Sequence, residues 1–145
     1  MKPFRHTQQE RISIWAVRTL GIEACANSVE RALRVAEEAI ELAQACKVSK
    51  EQLHRLVDYV FERPAGKPGQ EIAGTLVCLY SLASALGLDA DREFEREFLR
   101  VNEPEVVDRI RRRQAEKREL LDKSESLVEK RESAASAHVE EEREK

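Results

Sequence analysis

The chain has 145 residues, a formal net charge of -3, 37% charged residues and 5% aromatics. That length is enough for one domain with a core of its own. A charge so near neutral argues against a strongly basic nucleic-acid binder or a polybasic membrane-surface protein, and the scarcity of glycine and proline favours helices.

The segment "MKPFRHTQQER" is polar, with no signal-peptide pattern. A first helix is expected from about Thr7 to Leu20, stopping before Gly21. Asn27 or Ser28 can cap a second, running to about Cys46. Ser49 caps a third, which ends before "RPAGKPGQ", the chain's Pro/Gly-rich loop. A fourth runs from about Gly69 to Leu86 and stops at Gly87. Asp89 starts a fifth, which breaks near Pro104. No window alternates with strand period over any length. The expected fold is therefore all-α, a bundle of four or five helices over residues 1–121. The charged, Ser/Ala-rich segment 122–145 is expected to be frayed helix or disordered. The longest apolar run, "LVCLYSLASALGL", is well short of the ~20 residues a bilayer needs, and no internal repeat is visible. The three cysteines, Cys25, Cys46 and Cys78, lie far apart with no CxxC. They are expected to be reduced and buried in a cytoplasmic protein. The fourth helix, "EIAGTLVCLYSLASAL", has small and apolar residues all round its wheel, as a helix buried on every side would.

Two groups of residues carry the candidate chemistry. In "RVAEEAIELAQA", Glu37, Glu38 and Glu41 share an arc of roughly 100° on a helical wheel. Val35, Ala36, Ala39, Ile40, Leu42, Ala43 and Cys46 take the other side. A solvated acidic face accounts for this pattern. Arg34, one turn before Glu38, can pair with it for ~0.2–0.5 kcal/mol. Glu71, the only charge on the fourth helix, can be a first-turn carboxylate facing the helix dipole. A carboxylate entering a packed bundle needs a partner, however. A divalent cation shared with Glu38 and Glu41 would supply one, and carboxylate oxygens suit Mg²⁺ or Mn²⁺.

These residues bring the chain to a family. "RVAEEAIELAQA" followed by "QEIAGTLVCLYSLASALGLD" resembles the MazG-like all-α nucleoside triphosphate pyrophosphohydrolases. Their signature is EExxE on one helix and ExxD on a later one, with an apolar run ending in a Gly-Leu/Ile-Asp turn. Glu37, Glu38 and Glu41 complete the first half. Glu71 opens the second, and Gly74 stands where the family has aspartate. The resemblance covers roughly residues 7 to 118. It implies a dimer or higher homo-oligomer with Mg²⁺-dependent cleavage of a nucleoside triphosphate to monophosphate and pyrophosphate. By position it implies Glu38, Glu41 and Glu71 as metal ligands, with Glu37 positioning or activating the attacking water. Metal ions would neutralise phosphate oxygens and lower the water's pKa, so no covalent nucleophile is required.

Four residues are candidates for substrate binding. Arg34 lies beside the acidic cluster. Arg63 and Lys67 flank the start of the fourth helix, where free N–H groups favour anions; the loop can equally be only a linker. Trp15 shares a side with Ile12 and Leu20, as a core residue would, and its ring can alternatively stack on a nucleobase. "DRIRRRQAEKR" reads as a solvated helix face. A nucleic-acid patch of Arg109, Arg111, Arg112 and Arg113 is weakened by its interleaved acids. His6, His54 and His138 have no second ligand at zinc spacing. The competing function is a non-catalytic helical oligomer of the same fold, binding nucleotide or a protein partner.

Overall fold

A computed structural model describes residues 7–116, and no strand occurs among them. The helices are α1 (Gln8–Leu20), α2 (Ile22–Ala26), α3 (Ser28–Ala45), α4 (Lys50–Phe61), α5 (Pro68–Ala85) and α6 (Ala90–Val101). A further helix, α7, occupies residues 104–116. The expected tail at 122–145 lies outside the described residues, as do His6 and His138.

Local chemistry accounts for the boundaries. Thr7 caps α1 and Glu10 returns the bond to the Thr7 backbone, a reciprocal capping box. Ser49 and Gln52 form the same device at α4. Asn27 caps α3 and Asp89 caps α6, each accepting from a backbone N–H in the first turn. α5 starts on Pro68, whose missing N–H costs nothing there. α3 and α5 end alike. Val48 N–H bonds the Ala43 carbonyl and Lys47 that of Gln44, while Leu88 bonds Ala83 and Gly87 bonds Ser84. Both are Schellman ends, with Lys47 and Gly87 at a φ of 68°. The five-residue α2 was not expected; it is a single turn entered through Gly21 at a φ of 87°.

Tertiary structure is concentrated at one end. α1 and α6 run side by side in the same direction, because their contacts rise together along both helices. Gln8 donates to Asp91 at 3.4 Å. Arg11 forms a two-pronged bond to Glu95, with one prong at 2.8 Å. The Trp15 indole N–H donates to the Val101 carbonyl at 3.0 Å. The Arg11 guanidinium also lies 4.3 Å from the Phe98 ring centre, over the stacked Phe94–Phe98 pair. Arg111 of α7 donates to the Thr19 and Arg18 carbonyls, satisfying the free end of α1. Gln114 reaches Glu30 on α3 at 2.9 Å. Thr19, Ala24, Val101 and Val106 are buried where these elements meet.

The rest of the chain is open. α5 was expected to be buried on every side, yet Pro68 through Ser81 are all exposed. Val77 is 68% exposed and Ile72 64%. α4 exposes Leu56, Val57, Tyr59, Val60 and Phe61 in the same way. Within one chain, α3, α4 and α5 do not close into a compact bundle. The apolar wheel of α5 signals that it needs cover but does not say what supplies it, and no helix among the described residues does. For the same reason Cys78 on α5 is exposed; Cys25 on α2 and Cys46 at the end of α3, also expected to be buried, are half-buried. No single helix among the described residues is long and apolar enough to cross a membrane.

Candidate functional site

The acidic cluster sits mid-way along α3, an alanine-rich helix unbroken from its Asn27 cap to Ala45. Arg34 is the organising residue. Its guanidinium pairs with Glu37 one turn on, and with Glu38 at 2.7 Å. The side chain of Glu41, the third acid, makes no ion pair or hydrogen bond to any described residue. A second arginine, Arg100 in the last turn of α6, pairs with Glu97 at 2.5 Å. Arg100 is held above its ordinary pKa mainly by its hydrogen bond with Glu97, with smaller electrostatic contributions from Glu103 and Glu38. The last turn of α6 therefore lies within electrostatic reach of Glu38.

Glu71 stands in the first turn of α5. Its carboxylate folds back over the loop and fills the space beside Gly66, where an added Cβ would lie 2.0 Å from Glu71 Oε1. Gly66 thus makes room for this carboxylate. Gly74, one turn further along, has nothing within 4 Å of where its Cβ would be. The first carbon of an aspartate there would meet none of the described residues.

The remaining candidates separate. Arg63 lies with its guanidinium 4.3 Å from the Tyr59 ring centre. Lys67 is the residue from which α5 starts, and no side chain caps that helix. Trp15 is half-buried at the α1–α6 contact, its N–H committed to Val101. Arg111 is tied to the end of α1, which removes one member from the suggested basic patch.

Glu37, Glu38 and Glu41 therefore share one helix, with Arg34 among them. Glu71 is not gathered with them. Among the described residues, no three His, Cys, Asp or Glu side chains converge to hold a metal ion. In the single chain the carboxylates do not fit an ion as placed, and bringing Glu71 to Glu38 and Glu41 requires α3 and α5 to close on each other. The buried-helix argument for a partner at Glu71 also loses its premise here, because α5 is exposed. Gly66 and Arg100 were missed from the sequence. Gly66 was visible only as one residue of a Pro/Gly-rich loop, and nothing near Arg100 in sequence ties it to Glu38.

No family model, no curated protein and no solved structure matches the chain.

Proposed function

We propose that the chain is a nucleotide pyrophosphohydrolase, cleaving a nucleoside triphosphate to monophosphate and pyrophosphate with Mg²⁺ or Mn²⁺. The observation that carries the reading is the placement of Glu37, Glu38 and Glu41 on one unbroken helix, followed by Glu71 in the first turn of α5. This is the helix order that the MazG-like resemblance requires. Glu38, Glu41 and Glu71 are the proposed ligands, and Glu37 the proposed group beside the attacking water. Arg34, Arg63 and Lys67 would meet phosphate oxygens, where guanidinium and ammonium groups bind strongly. Closure of α3 against α5 is a condition of this proposal.

The test is a panel of ribo- and deoxyribonucleoside triphosphates, each with Mg²⁺ and with Mn²⁺, scored for pyrophosphate and for orthophosphate. Pyrophosphate from any of them, abolished by Glu38→Gln and by Glu41→Gln, is the expected result. Orthophosphate alone would mean a different reaction.

One observation favours a non-catalytic relative that binds nucleotide or a protein partner. Arg34 already neutralises Glu37 and Glu38, as it would on a solvated helix face. Silence across the whole panel in a folded protein would select that alternative.

A further inference from the structure

The candidate site disagrees with a bound metal ion most directly at Arg34. This residue stands three positions before Glu37 and four before Glu38, so one guanidinium reaches both carboxylates along the same face of α3. One of its terminal nitrogens bonds Glu37, and the other bonds Glu38 Oε1 at 2.7 Å. The planar fork of an arginine serves two carboxylates at once, whereas a lysine ammonium acts as a point charge. Two of the three acids in the arc therefore already hold a cation. The third, Glu41, makes no ion pair or hydrogen bond to any described residue. Glu71 rests against Gly66, and position 74 carries no carboxylate. One carboxylate with no phosphate beside it is a weak ligand set for Mg²⁺ or Mn²⁺.

We propose that Arg34 is the resident counter-ion of this arc and sets its affinity for divalent cations, because a guanidinium and a metal ion would compete for the oxygens of Glu38 and of Glu37 beside it. The inference rests on the nucleotide reading in taking these carboxylates as the place where a cation binds. Both sides of the pair are open to solvent, with the Arg34 side chain 37% exposed and that of Glu38 65%. A pair so exposed is held weakly, so it lowers the affinity for an ion without closing the site. The two bound nitrogens are also those a phosphate would need, so Arg34 meets a phosphate only on leaving the arc. Arg100, by contrast, has its fork bound to Glu97.

The test is calorimetric titration of the full chain with Mn²⁺ alone, without nucleotide. Arg34→Gln keeps a helix-favouring side chain and removes its charge. It should tighten Mn²⁺ binding about three- to tenfold, since a competitor and a like charge both go. Arg34→Lys keeps the charge and loses the fork, so it should gain less; it decides the matter should Arg34→Gln lose its helical circular dichroism. Adding Glu38→Gln to Arg34→Gln should abolish the gain, and Arg100→Gln alone should change affinity by less than Arg34→Gln does. Unchanged or weaker binding in a folded Arg34 variant, a gain that survives the loss of Glu38, an equal gain from Arg100→Gln, or no Mn²⁺ uptake by wild type and variants alike would each overturn the proposal. Tighter binding in Arg34→Gln with no pyrophosphate from any nucleoside triphosphate would leave the role of Arg34 standing and sink only the nucleotide reading. Pyrophosphate from wild type with no gain in Arg34→Gln would do the reverse.

Discussion

At the scale of single residues, Gly66 and Glu71 form the most specific contact near the candidate site. An alanine at position 66 would put its Cβ 2.0 Å from Glu71 Oε1, so one of them must move. The glutamate tip is flexible and exposed, and it will swing away at little cost. Gly66→Ala should therefore leave stability within about 0.5 kcal/mol in denaturant unfolding, while the ¹³C resonance of the Glu71 carboxyl shifts. An unmoved resonance would mean the carboxylate does not rest against Gly66. The Arg11–Glu95 pair makes a second prediction through pH. The Arg11 hydrogen bond holds the Glu95 carboxyl below the usual glutamate range. A carboxylate with a depressed folded-state pKa adds stability above its unfolded pKa of about 4.3, and that stability is lost as pH falls through the lower, folded-state value. Glu95→Gln should melt below wild type at pH 7, and the gap should narrow as pH falls below about 4.3. A gap that persists in acid would show that the side chain acts by packing rather than by charge.

At the scale of elements, the two matching helix ends separate what local sequence specifies from what it tolerates. Gly87 adopts its positive φ without strain, whereas Lys47 carries a Cβ into the same left-handed region. That conformation costs a non-glycine residue about 1 kcal/mol or more. Lys47→Gly should raise the denaturant midpoint at unchanged slope, a gain of about 0.5–1 kcal/mol. A loss would mean that the Lys47 side chain makes a contact worth more than the strain. The comparison also shows which features were legible. Asn27 and Ser49 act through bonds a few residues away, so these caps could be read directly, and Thr7 and Asp89 were legible as the places where helices begin. Gly21 and Gly87 marked their helix ends for the same reason. α2 escaped because five residues are too few for periodicity to show. Of the site, the Glu37, Glu38 and Glu41 arc was legible because spacing on one helix fixes it. The placement of Glu71 was not, because it depends on how α3 and α5 approach each other. The pairing of Arg11 with Glu95 lay equally out of reach, one pair among many charges far apart in sequence.

At the scale of the whole molecule, the chain divides by what stabilises each part. The α1–α6–α7 end is closed by contacts within one chain: Arg11 with Glu95, Trp15 with Val101, and Arg111 with Thr19. Among the described residues, α4 and α5 have no comparable cover. Burying a large apolar side chain is worth ~1.5–3 kcal/mol. Leaving the ten on α4 and α5 about half exposed forfeits on the order of 10 kcal/mol, as much as the whole stability of a typical domain at ~5–15 kcal/mol. Association with a second chain, as the family resemblance implies, would recover stability on that scale, and association depends on concentration where intrachain contacts do not. For a folded dimer that unfolds to separate chains, each tenfold rise in protein concentration adds ~1.4 kcal/mol. The melting temperature of the wild-type chain should therefore climb by a few degrees per tenfold rise in concentration. Hydrogen exchange would locate the effect, with the amides of α4 and α5 gaining protection at high concentration and the central turns of α1 and α6 gaining less. A melting temperature independent of concentration over a hundredfold range would mean that one chain is stable with these helices uncovered, and that the α1–α6–α7 end holds the fold alone.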